Sequence, residues 1–175
     1  MRRHALVALV LLAPFFADPI ACSRSVTDLE HARGHLHEVS IELAAAAVHE
    51  DHAKVVDYML PSIVASAGGR DRMLAIARKT AEDLKKEGWT IKDQSVRDDI
   101  RVAAGRDGIY GVAPYHMTMV KDGDPPLELD SFLVGFSSDD GETWRVVDGG
   151  ALQQNPNALS KLFPKFPAEL ELPRK

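Results

Sequence analysis

Two histidines four residues apart, His31 and His35, have the spacing at which one helix can offer two imidazoles to a single metal ion. His37, Glu38 and Glu42 lie close by in sequence. At about 100° per residue, His31, His35, Glu38 and Glu42 fall away from Leu29, Leu36, Val39 and Leu43, on a face that water should cover. The sequence offers no third ligand, so no metal centre is expected there. Acid–base chemistry has two other starting points: His116 beside Tyr115, and Asp57 beside Tyr58. A base next to a phenolic donor is a minimal set for moving a proton. In a strand, however, neighbours point to opposite faces. Tyr110, Val112, His116, Thr118 and Val120 should share one side, and Tyr115, Met117 and Met119 the other. A Gly-rich phosphate loop, a nucleophile elbow and a Cys–His pair are all missing from the sequence, and no cofactor is expected.

The octet SSDDGETW, residues 137–144, resembles the Asp box that recurs once per blade in sialidase propellers. A chain of 175 residues is too short for a multi-bladed propeller, and in sialidases the motif is a turn placed away from the catalytic centre. Asp139, Asp140 and Gly141 suit a tight turn, because Asp side chains accept from nearby N–H groups and Gly takes positive φ. Trp144 should pack beneath it. The octet is therefore read as structural, and two carboxylates in a turn are a weak calcium signal.

The elements that must carry these residues follow from periodicity. Residues 24–50 predict a long helix, with Thr27 and Glu30 as a capping box and Leu29, Ala32, Leu36, Val39, Leu43 and Ala46 as one apolar stripe. Asp51 should cap a short second helix that Pro61 ends. A connector over 61–69 leads to a third helix over about 70–87, with Met73, Ile76, Ala77, Thr80 and Leu84 inward and Gly88 as its cap. Strands are predicted at 89–96, 98–104, 109–120, 127–137 and 143–148, as an antiparallel meander with a bulge or edge at Pro114. Gly149-Gly150 should close the sheet, before a short helix near 156–162 and a Pro-rich tail. Helices first and strands second indicate an α+β domain, the N-terminal helices packed in the concavity of a curved antiparallel sheet, a cone-shaped α+β barrel. Strands three and four are apolar on both faces, so both must be covered. The second cover is either the tail or a partner subunit, with a homodimer through the sheet preferred.

This element order, together with the phrases AGGRDRMLAIA and GETWRVVDGG, resembles the nuclear transport factor two-like superfamily, including its SnoaL-like and ketosteroid isomerase-like branches, over roughly residues 27–150. The resemblance implies a cone pocket, lined here by Tyr58, Trp89, Tyr115 and His116. Catalytic relatives use an Asp or His base with a Tyr or Asp donor, which makes His116, Tyr115 and Asp57 the residues to watch. Other relatives only bind, and fold does not decide between them.

The N-terminus speaks to destination. Arg2 and Arg3 precede the apolar run Ala5–Ala17 and the small residues Ala21, Cys22 and Ser23, the three parts of a secretory signal over residues 1–23. The run is shorter than the roughly 20 residues a membrane span needs. Cys22, the only cysteine, rules out an internal disulfide and stands where a bacterial lipoprotein is acylated. A formal charge of −5 with dispersed Lys and Arg argues against nucleic acid. The expectation is an exported chain of the periplasm or cell envelope, with a domain over 24–150 and a helix-and-tail segment over 151–175. Its membrane contact is limited to signal or lipid. Its role is non-catalytic binding of a small apolar ligand or a protein partner, and the alternative is an isomerase- or dehydratase-like envelope enzyme.

Overall fold

The computed structural model describes residues 25–155 and 157–173. The expected signal and Cys22 lie outside the described residues. Helix α1 (Val26–Val48) begins with a capping box, two residues earlier than Thr27 and Glu30 would have placed it. Ser25 Oγ accepts from the Asp28 N–H at 3.2 Å, and the Asp28 carboxylate accepts from the Ser25 N–H at 2.9 Å. Glu30 pairs instead with Arg33, one turn on. The predicted stripe is the buried face: Ala32, Leu36, Leu43 and Ala46 are buried, and Leu29 and Val39 pack beside them.

Asp51 caps α2 (His52–Tyr58), accepting from the Lys54 N–H. Pro61 does not end that helix. It opens a further one, α3 (Pro61–Ser66), at the first-turn position where a missing N–H costs nothing. α4 (Arg70–Lys86) follows, and Gly88 at φ +87° closes it. Met73 and Leu84 face inward as expected, but Ile76 and Thr80 are exposed. α4 lies against α2 and α3, so it buries a narrower stripe than a sheet-covering helix would.

The sheet is antiparallel, curved and open, with the helices in its concavity. It is not a simple meander. Its strands are β1 (Thr90–Val96), β2 (Arg101–Ala104), β3 (Ile109–Val120), β4 (Leu127–Ser137) and β5 (Arg145–Asp148). β1 and β2 lie end to end along the same edge of β3, against Tyr115–Val120 and Ile109–Val112 respectively. β3 is long enough to serve both, and Pro114 sits opposite the break. Its carbonyl accepts from the Arg97 N–H at 2.9 Å, so the amide hydrogen it lacks is missing where no strand asks for one. Pairing with β4 runs through Pro114 and Phe132 without a bulge, and the irregularity lies in β1, between Ile91 and Asp93. At the far edge, the Leu60 N–H donates to the Val146 carbonyl at 3.2 Å, laying the α2–α3 link along β5.

Each face of the sheet has its own core. On the concave side Ile109, Ala113, Tyr115, Leu133, Trp144 and Val146 meet α1. On the outer side Tyr110, Val112, Phe132, Val134 and Val147 meet the C-terminal segment, including Leu152, Phe163 and Leu170. Gly149 and Gly150, expected to close the sheet, open α5 (Gly149–Gln154) instead, because Asp148 caps it by accepting from the Gly150 N–H at 2.8 Å. α6 (Ala158–Leu162) follows where a short helix was predicted. The chain's own tail thus covers one part of the apolar face that motivated a sheet-to-sheet homodimer, the part around Tyr110, Val112, Phe132 and Val134.

Candidate functional site

The octet is a locked turn between β4 and β5. Ser137, 1% exposed, donates from Oγ to Asp139 Oδ1 at 2.7 Å and accepts from the Gly141 N–H at 2.9 Å. Asp139 also accepts from Thr143, through its N–H at 2.9 Å and its hydroxyl at 2.6 Å. Asp140 and Gly141 take positive φ. Trp144 lies beneath, 1% exposed, as the sequence pattern requires.

These donors, the Thr143 hydroxyl first, hold the Asp139 carboxyl down from its ordinary 3.8 to about 2. Because the folded value is depressed, the stability this group contributes is whole above pH 3.8 and is lost as pH falls through 2. Asp139→Asn should therefore melt below wild type near pH 6, by an amount that solvent screening of this exposed carboxylate keeps modest, with the gap closing between pH 4 and pH 2. Thermal melts across that range check it, and a gap that stays constant with pH would defeat the assignment.

The turn also reaches α1. Gly141 backs onto Ala32 so closely that an added Cβ would stand 2.4 Å from the alanine methyl. That approach sets Glu142 beside the two histidines for which the sequence offers no third partner. His31 Nε2 lies 3.2 Å from Glu142 Oε1, and the His31 and His35 rings stand 4.2 Å apart at 51°. One ligand atom from each of the three falls within 4.8 Å of the others. The face expected to be fully solvated is therefore bordered by the turn, and His35 is half-buried there.

The four residues expected in a cone pocket go to four different places. Tyr58 donates to Glu42 Oε2 at 2.8 Å, and Lys54 Nζ pairs with the same carboxylate at 3.0 Å. Its neighbour Asp57 is held by Arg70 at 2.6 and 2.9 Å, a fork that lowers its carboxyl and takes it away from Tyr58. Trp89 sits at the end of the α1–β1 seam with Lys121 Nζ 5.6 Å from its ring centre. Tyr115 points into the concave core and donates to Asp148 Oδ2 at 2.5 Å. Burial first, then the Asp148 charge, pushes its phenol well up. His116 is on the outer face, between Asp130 at 3.0 Å and Glu128 at 2.8 Å, with the Thr118 hydroxyl completing the group. Those carboxylates, Asp130 first, raise the imidazole. Tyr115 and His116 therefore stand on opposite sides of β3, as strand alternation requires.

Sequence reasoning overlooked an apolar groove. Ile41, Ala44, Ala45 and Val48 step by three and four along α1 and face Val96 and Gln94 of β1 across a cavity of about 420 Å³. Alanines are too short to close the gap between helix and sheet, and Ile41 stays 49% exposed at its rim. The run Ala44–Ala47 was the available signal.

No family model and no curated protein matches this chain. A solved structure, the phenazine biosynthesis-related protein PhzB2 from Pseudomonas aeruginosa, is similar over 86% of this chain and 96% of that one, at 14% identity and a TM-score of 0.35.

Proposed function

We propose that the chain is an exported, non-catalytic binding module that takes a small apolar ligand in the groove between α1 and β1. The carrying observation is that groove: about 420 Å³, apolar along its helical wall, with Gln94 beside Val96 on the strand side to fix orientation. Its size and lining suit a small ligand. The candidate acid–base groups support the same reading, because Asp57, Tyr58, Tyr115 and His116 each answer to a partner of their own. Export rests on the Arg2-Arg3 and Ala5–Ala17 pattern, and a lipid anchor on Cys22. Kinship with the nuclear transport factor two-like superfamily rests on element order.

Native mass spectrometry of protein purified from its own envelope tests these points together. The expected result is a retained apolar small molecule, lipid mass on Cys22, and loss of the small molecule in Ala45→Trp, which fills the groove. A ligand retained equally by Ala45→Trp would remove the groove from consideration. An unlipidated chain still carrying its leader would remove export.

A second reading has one observation in its favour. Tyr115, hydrogen-bonded to Asp148, borders a cavity of about 470 Å³ that also touches Arg97, Arg101, Asp130 and Ser131. An isomerase- or dehydratase-like enzyme would use that phenol as donor. Both Asp148 oxygens are already engaged, one by Tyr115 and one by the Gly150 N–H, which places this reading second. A bound carbonyl compound within reach of Tyr115, with the α1–β1 groove empty, would reverse the order.

A further inference from the structure

We propose that His31, His35 and Glu142 form a binding site for a divalent transition-metal ion of the zinc type. This goes beyond the apolar-ligand reading and does not depend on it. The two imidazoles come from successive turns of α1, and the carboxylate comes from the β4–β5 turn, more than a hundred residues later. Both supports are fixed. α1 is anchored by its buried stripe, and the turn by the Ser137, Asp139 and Thr143 hydrogen bonds and by the seat of Gly141 on Ala32.

Two nitrogens and one carboxylate suit Zn²⁺, Co²⁺, Ni²⁺ or Cu²⁺, whereas Ca²⁺ and Mg²⁺ ask for more oxygen ligands. Ligands about 2.0–2.2 Å from one ion in tetrahedral geometry lie roughly 3.4 Å from each other. The His31–Glu142 pair is already at 3.2 Å, and the widest separation in the group does not exceed 4.8 Å. The remaining closure falls to side chains free to make it, since those of His31 and Glu142 are 52% and 63% exposed. Three protein ligands leave a fourth position open to water or an incoming group, as in catalytic rather than structural zinc sites. The simpler use of the same atoms is a His31–Glu142 ion pair, and the test separates the two.

Protein purified without a polyhistidine tag is titrated with Co²⁺ alone, followed by visible absorption, and then with Zn²⁺ in competition. The expected result is one ion per chain, with affinity falling about tenfold or more in each of His31→Ala, His35→Ala and Glu142→Gln, since a lost ligand costs at least as much as a lost supporting group. His116→Ala, which removes the other histidine flanked by carboxylates, should leave binding unchanged. Thermal melts give an independent readout: Zn²⁺ should raise the wild-type melting temperature and leave that of His35→Ala where it was. Wild-type affinity in Glu142→Gln, loss of binding in His116→Ala, or no binding by the wild type would each overturn the site.

Discussion

Trp144→Ala should destabilise the protein by about 3–5 kcal/mol, the usual cost of emptying a large aromatic site in a core. The indole is 1% exposed and lies across the inner face of β4, where a Cβ on Gly135 would meet it at 2.9 Å. It packs in the same cluster as Leu36 and Val146, so it ties the helix to the sheet. With total stabilities near 5–15 kcal/mol, a loss of that size leaves a fraction of the molecules unfolded at growth temperature. The Nε1–H of this indole is buried with no hydrogen-bond partner among the described residues. Trp144→Phe deletes that unsatisfied donor and keeps most of the ring, so it should cost less than half as much. Urea titrations of both variants give the numbers. A Trp144→Ala penalty under about 1 kcal/mol, or a Phe variant as weak as the Ala variant, would contradict this account of the core.

Gly141→Ala should cost about 2–4 kcal/mol although it adds a single methyl, combining backbone strain with overpacking. The residue sits at φ +93°, a conformation side chains disfavour. The new methyl would stand 2.4 Å from the Ala32 Cβ and 2.7 Å from its Cα, and helix backbone does not give way as a flexible side chain does. Adding Ala32→Gly removes the clash between the two methyls but relieves neither the crowding against the helix backbone nor the strain. The double variant should therefore recover part of the loss, and a double-mutant cycle measures that part. Strict additivity would mean the turn does not rest on the helix as described. Moving the turn also parts Glu142 from His31, so Gly141→Ala should weaken Co²⁺ binding along with stability.

The contrast between these two sites explains what could be read in advance. The octet was legible because its bonds are local: Ser137, Asp139 and Thr143 satisfy one another within seven residues. The stripe on α1 was legible because burial repeats with the helical period. Alternation correctly parted His116 from Tyr115, but it carried no information on which side α1 would take. Glu142 was missed as a third ligand because its place beside His31 depends on Gly141 meeting Ala32, a long-range approach with no periodic trace. Reading Gly149-Gly150 as punctuation missed α5, since Asp148 satisfies the first turn and lets two poor helix formers begin it. Five apolar runs in sequence suggest a five-strand meander. That two of them share one neighbour depends on the length of β3 and on a proline standing where pairing stops.

Open sheets are vulnerable at their rims, where unpaired amides invite a stranger's strand. Here the β5 rim is occupied from within: Leu60 uses the Val146 carbonyl, and Met59 lies parallel alongside. A passing extended peptide finds the Val146 position of that edge already taken. The middle of β5, at Val146, is thus shielded against fibril-like stacking by a segment that also joins two helices. Loosening the Met59–Leu60 link would therefore be felt first as a loss of solubility in the folded protein.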